Sequence, residues 1–278
     1  MRPTTQAVLL TVASAFVFNL ETTIIKLVEG VPLATLVLAR SLGQFLWVMP
    51  ALIRDPTLPR TRHLPMAIFR GALSGVSWFT YYLSYSGLPL APATVLSFTT
   101  VLFVTALAGP VLGERVGWRR WLATGVGFLG VLAIVRPGAL ELGWPVAASM
   151  VSALLGAAIV LTTKFLARDE RTGTIMFWIG VVSVCISTPV AWPGLAWPGW
   201  QNFALMALAG LCGPFAMHLW INALRLADAS FLAPISYTRL VFAAAFGLVL
   251  FAELPDAWLG LGTALILGSA VYVTRRGR

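Results

Sequence analysis

Glu21 and Arg40 are the two residues best placed for charge chemistry, because each is an ionised side chain embedded in an apolar run. In "FNLETTIIK" (18–26), Asn19, Thr22, Thr23 and Lys26 fall at i, i+3, i+4 and i+7, one polar stripe along a helix. Glu21 lies about 200° around from Asn19 and faces nearly the other way. A helix polar on two faces has no side to give to lipid, so it is enclosed by protein. Counting from a turn near Gly30 puts Glu21 nine residues before it and Arg40 ten after, about 14 Å deep and close to the bilayer midplane. A lone charge there costs several kcal/mol, so the two are expected to pair. Two roles stay open for the pair: a titratable switch in a wet interior, with Glu21 carrying a coupling proton, or an ion pair that only fixes two helices.

A second arrangement surrounds Asp228, with His218 ten residues before it and Arg239 eleven after, so these two are expected to meet at similar depth. His218, Asn222 and Arg225 share a helix face, as do Ser236 and Arg239, with Tyr237 between them. His218 is either a second proton carrier or a packed core residue. Trp78, Tyr81, Tyr82 and Tyr85 (i, i+3, i+4, i+7) form either core or an aromatic wall that stacks flat or cationic groups. Trp178 holds on its span the position that Arg40 holds on its own. Asn19, Arg40, the four aromatics, Trp178, Asn222, Tyr237 and Arg239 are therefore the candidate substrate contacts. In "GLCGP" (210–214), Pro214 deprives the Gly210 carbonyl of its donor, which makes Gly210, Gly213 and Pro214 a candidate hinge. Gly71–Gly75, Ala123–Gly127 and Ala264–Gly268 are small-residue surfaces suited to close helix contact.

These residues need membrane helices to position them. Of 278 residues, 59% are hydrophobic and only 10% charged, too few polar groups to cover a soluble domain. Apolar windows of about 20 residues recur along the chain, each long enough to cross a bilayer. Turn and charge clusters delimit ten spans near 6–28, 33–53, 64–87, 91–112, 117–135, 144–166, 173–192, 202–225, 230–252 and 256–274. With the N-terminus in the cytoplasm, fifteen of the nineteen basic residues, Arg70 and Lys164 among them, fall at inner loops or span ends, and only Arg136 falls outside. Lys26, Arg40 and Arg239 stay within spans. Both termini are thus expected inside, and the net charge of +9 reads as membrane orientation, not nucleic-acid binding. Cys185 and Cys212 lie in apolar spans as core residues, and the sequence carries no metal or nucleotide motif and no removable signal peptide. No cofactor is expected.

The chain also repeats itself. "LPLAPATVL" (88–96) matches "LRLADASFL" (224–232), and "GERVGW" (113–118) matches "AELPDAW" (252–258), at spacings of 136 to 139 residues. The two units, 1–140 and 141–278, hold five spans each. Five is odd, so the second enters the membrane inverted, the arrangement that lets a carrier exchange inward-open and outward-open shapes.

The stretch from "LPLAPATVL" through "LGERVGWRRW" to "GVLAIVRP", and its second copy "LADASFLAPISYTRLVFAAAFGLVLFAELP", resembles the EamA-type module of the drug/metabolite transporter superfamily. The resemblance covers essentially the whole chain as two tandem modules. It implies an all-α, ten-helix secondary carrier of a small metabolite, with a cavity lined by spans 1, 3, 4, 6, 8 and 9. Two deep arginines against one deep glutamate favour a substrate that bears a carboxylate, such as an amino acid or other organic anion. The expectation is a non-enzymatic, proton-coupled transporter in a bacterial inner membrane, monomer or homodimer, with the lipid bilayer as its surroundings. A lipid-linked head-group flippase or a passive channel on the same scaffold is the alternative.

Overall fold

A computed structural model describes residues 3–87, 96–135, 144–251 and 257–276, with side chains described there except at 26, 78–87, 144–145, 148, 247–248, 250–251 and 276. Within these residues the chain forms α1 (Pro3–Lys26), α2 (Leu33–Arg54), α3 (Leu64–Gly87), α4 (Thr100–Leu112) and α5 (Trp118–Val135). It continues as α6 (Trp144–Asp169), α7 (Thr172–Ala191), α8 (Trp200–Leu226), α9 (Thr238–Phe251) and α10 (Ala257–Arg276), with no β-strand among the described residues. Eight segments are long and apolar enough to cross a membrane, and the apolar helical stretch Leu96–Leu112 is shorter. A helix satisfies its own backbone polar groups, so this sequence can place apolar segments in lipid.

The turns follow from local chemistry. Gly30, between α1 and α2, has φ 68°, and Gly113, which ends α4, has φ 70°, both in the left-handed region that glycine occupies without strain. At the end of α4 the Gly113 and Glu114 amides donate back to the Gly109 and Ala108 carbonyls, closing the helix.

One expected span is not a single helix. Residues 229–251 comprise one α-helical turn (Ala229–Leu232), a 3-10 turn (Pro234–Tyr237) and then α9. Pro234 has no N–H to continue the ladder, and the Thr238 hydroxyl donates to the Ile235 carbonyl at 2.8 Å where α9 begins. In the Leu96–Leu112 stretch, Thr99 likewise donates its hydroxyl to the Leu96 carbonyl at 2.5 Å just before α4.

α1 packs on α8 and α3 on α6; α2 packs on α7 and α8, and α3 also on α7; α1 meets α9, α4 meets α6, and α5 meets α10. Small residues permit the tightest crossings. A Cβ on Gly43 would stand 2.5 Å from the Gly210 carbonyl oxygen, so α2 and α8 touch backbone to backbone there. Gly71 and Gly75 bear on Val182 and Ile186 of α7, and Gly127 on the Tyr237 ring. Gly268 has open space in front of it, so the Ala264–Gly268 surface makes no such contact among the described residues.

The loops following α2, α4, α6 and α8 gather at one end of the bundle, rich in basic residues. Glu170 accepts the Thr61 hydroxyl at 2.6 Å and the Arg62 amide at 2.8 Å, while Arg225 donates to the Glu170 carbonyl at 2.5 Å. Glu114 accepts the Ala229 and Ser230 amides and the Ser230 hydroxyl, and Arg120 pairs with Asp228 at 2.8 Å. Lys164 donates to the Leu224 and Ala227 carbonyls at 2.6 and 2.7 Å, capping the end of α8. These contacts close the basic end.

Candidate functional site

Glu21 and Arg40 pair as the counting predicts. Arg40 Nε donates to Oε1 at 2.5 Å and its second guanidinium nitrogen to Oε2 at 3.2 Å, a two-pronged contact. The Glu21 side chain is 1% exposed and that of Arg40 18%. A Cβ on Gly213 would stand 2.5 Å from Glu21 Oε1, so the carboxylate lies directly against the backbone of α8, in the turn that ends at Pro214. The depth differs from the expected 14 Å. α1 stops at Lys26 and α2 starts at Leu33, so Glu21 and Arg40 sit about 8 and 10 Å inside those helix ends. Residues 27–32 form a loop and do not advance at the helical rise.

Arg239 joins this pair through an aromatic ring. The guanidinium carbons of Arg40 and Arg239 lie 5.8 and 5.1 Å from the centroid of Phe18, so they are no more than about 11 Å apart. Asn19 donates its amide to the Arg239 carbonyl at 2.8 Å and to Ala15 at 2.9 Å, pinning the first turn of α9 to α1. Phe18, Asn19, Glu21, Arg40 and Arg239 thus form one cluster on α1, α2 and α9, with α8 behind it. Its formal charge is two cations against one anion. Arg40 also lines a cleft of only about 10 Å³ with Ile25, Leu36, Met206 and Gly210, too small for a metabolite in this conformation.

The remaining candidates distribute differently. No hydrogen bond joins His218 to Arg239 among the described residues; the Arg239 guanidinium lies over the Phe18 ring. Asn222 accepts the Thr172 hydroxyl at 2.9 Å and donates to the His218 carbonyl, which ties α8 to the start of α7 near the basic end. Trp178 donates its indole N–H to the Pro59 carbonyl at 3.0 Å, also at the basic end and not beside Arg40. Tyr237 is wholly buried against Gly127 and Phe98, its hydroxyl without a partner. Trp78, Tyr81, Tyr82 and Tyr85 lie on the α3 backbone, with side chains outside the described residues. Gly210 packs on Gly43 and Gly213 on Glu21, so the candidate hinge is also the floor of the charged cluster.

Sequence reasoning missed Phe18, which carries no signal in an apolar helix. It also gave no sign that Arg70 and Lys164, counted at inner span ends, are buried. Arg70 is the bulkiest fully buried side chain described, and its spacing to Ser74, Ser77 and Tyr81 (i, i+4, i+7, i+11) was the available signal.

The comparisons identify the family and the fold. Residues 5–136 and 143–275 each match the EamA-like transporter family. A riboflavin transporter of Rhizobium johnstonii is 33% identical over 233 residues, 83% of this chain and 77% of the relative. An S-adenosylmethionine uptake transporter of Rickettsia prowazekii is 28% identical over 74% of this chain and 70% of its own length. A pseudopaline exporter of Pseudomonas aeruginosa is 26% identical over 96% and 95%. One solved crystal structure, 18% identical, superposes over the full length of both chains with a TM-score of 0.84, which shows the fold. The chain is a member of the EamA-like transporter family, with eight segments long and apolar enough to cross a membrane.

Proposed function

We propose that this protein is a proton-coupled secondary carrier for a small carboxylate-bearing metabolite in a bacterial inner membrane. The observation that carries this reading is the cluster in which Arg40 and Arg239 share the Phe18 ring while Glu21 neutralises only one of them. A substrate carboxylate supplies the missing negative charge. It competes with Glu21 for Arg40, and a proton on Glu21 releases Arg40 to the substrate, which links proton and substrate binding through one guanidinium. His218, on α8, is the second candidate proton carrier. That relatives are named for transport of riboflavin, S-adenosylmethionine and pseudopaline supports a small-metabolite cargo.

Alternating access rests on two five-helix units, 1–140 and 141–278, inserted with opposite orientation. Exchanging each helix for the one five places on maps α1·α8 onto α6·α3, α2·α8 onto α7·α3 and α1·α9 onto α6·α4, and returns α2·α7 and α5·α10 to themselves. Thr99 and Thr238, 139 residues apart, mark matched helix starts. Arg40 and Trp178 hold matched registers yet reach toward opposite ends of the bundle. All three support ten spans in an inverted repeat. The basic end is then cytoplasmic, as are both termini.

A flippase reading draws on one feature, an apolar groove of about 380 Å³ along α1, α9 and α10, lined by Val8, Val12, Val241, Phe242 and Leu267 with Arg275 at its edge. Its dimensions suit an acyl chain. Proteoliposomes separate the readings: a carrier gives saturable uptake of a soluble carboxylate with counterflow, driven by an imposed proton gradient. Non-saturating flux indicates a channel, and movement of labelled lipid alone indicates a flippase.

A further inference from the structure

Arg70 is a fully buried cation that, among the described residues, has neither a counter-charge, a carbonyl nor an aromatic ring as partner. Arg40 has Glu21, Lys164 has two carbonyls, and Arg239 has the Phe18 ring. Arg70 is 0% exposed and donates only to two neutral hydroxyls, Nε to Thr163 Oγ1 at 2.5 Å and one Nη1 hydrogen to Ser74 Oγ. Its second terminal nitrogen, Nη2, has no acceptor. A guanidinium has five N–H donors, so two are engaged and three, both on Nη2 and one on Nη1, are not. An arginine kept only to tie α3 to α6 would need neither the charge nor the idle nitrogen, since a glutamine can bond two hydroxyls.

We propose that Arg70 is an anion anchor at the basic end, whose idle guanidinium edge takes the carboxylate of the transported metabolite while that end is open, before the carboxylate reaches Arg40 and Arg239. This rests on the carrier reading above for the identity of its ligand. Arg70 is the seventh residue of α3, about 9 Å in from the basic end. Directly over that end lies the closure in which Thr61 bonds Glu170, Thr174 bonds the Leu58 carbonyl and Trp178 bonds the Pro59 carbonyl. Trp178 also presses on Gly71, next to Arg70. Opening this closure uncovers Arg70 to solutes at the basic end, whereas Arg40 and Glu21 sit near the opposite helix ends. Two idle donors match the two oxygens of a carboxylate, and Tyr81 at i+11 in the sequence follows on the same helical register.

The test uses the purified full-length protein in detergent, with apparent melting temperature read against L-glutamate, succinate, citrate and S-adenosylmethionine. Chloride and phosphate serve as inorganic controls and riboflavin as an uncharged one. At least one carboxylate should stabilise the wild type, lose that effect in Arg70→Gln, and need about tenfold more ligand in Arg70→Lys, which keeps the charge without the fork. Without ligand, Arg70→Gln should melt at or above the wild type, because it removes an uncompensated charge. The inference is overturned if Arg70→Gln melts well below wild type without ligand, if it keeps the carboxylate shift, or if only chloride or phosphate acts. The same preparations enter counterflow assays. Arg70→Gln transporting like the wild type sinks the anchor and leaves the carrier; Arg70-dependent carboxylate binding without any wild-type counterflow sinks the carrier and leaves the anchor.

Discussion

Adding one methyl group at Gly213 should dislodge the buried ion pair at the centre of the proposed site. A Cβ there would stand 2.5 Å from Glu21 Oε1 and 2.8 Å from its carboxyl carbon, where ordinary contact begins near 3.4 Å. A retreat of about 0.9 Å directed away from Arg40 would stretch the 2.5 Å bond from Nε to about 3.4 Å, longer than the usual range of about 2.7–3.2 Å for an N–H···O bond. Breaking a buried pair costs about 3–5 kcal/mol, and replacing glycine by alanine within a helix returns about 1 kcal/mol. The net prediction for Gly213→Ala is a loss of about 2–4 kcal/mol, read as a lower midpoint in thermal or denaturant unfolding of the detergent-solubilised protein. Glu21→Asp withdraws the carboxylate by one methylene and should relieve the clash, so the double variant should be more stable than the two single effects sum to. Gly125→Ala is the control, since nothing lies within 4 Å of its Cβ position, and it should be neutral or stabilising. Wild-type stability in Gly213→Ala, or strict additivity with Glu21→Asp, would refute the packing argument.

Three further outcomes follow from named contacts. Arg40→Gln should destabilise by about 3–5 kcal/mol by stranding Glu21, and adding Glu21→Gln should restore most of it, checked by unfolding of both variants. Asn19→Leu should cost about 1–3 kcal/mol by leaving the Arg239 carbonyl without its donor, and should weaken carboxylate binding through misplacement of Arg239, checked by ligand titration. The Thr57 hydroxyl and amide, with Arg171 beside them, hold the Asp55 carboxyl below its ordinary value. Its contribution is therefore full above the unfolded carboxylate's pKa and is lost as pH falls through the lowered folded value, so Asp55→Asn should flatten the acid limb of a melting-temperature profile.

The spans were legible because hydropathy and turn residues mark them directly, and the Glu21–Arg40 pair because both count from one shared turn. For Arg239 the count was less direct, since a 3-10 turn at Pro234–Tyr237 rises about 2.0 Å per residue and rotates differently from an α-helix just before it. Arg70 was hidden by its position, since a basic residue six places into a span looks like an interfacial one until the loops of 55–63 and 170–172 are seen to fold over it. Asn222 and Trp178 have the side chains of substrate contacts, but their partners, Thr172 and Pro59, are distant in sequence and assign them to the closure of the basic end.

A reversible lock on the basic end tests alternating access most directly. Thr61 and Glu170, joined by a 2.6 Å hydrogen bond across the two proposed units, can be replaced as Thr61→Cys and Glu170→Cys in a background lacking Cys185 and Cys212. Oxidation should stop counterflow of the carboxylate identified by binding, and reduction should restore it. Undiminished counterflow with the crosslink complete would contradict a carrier that opens at this end.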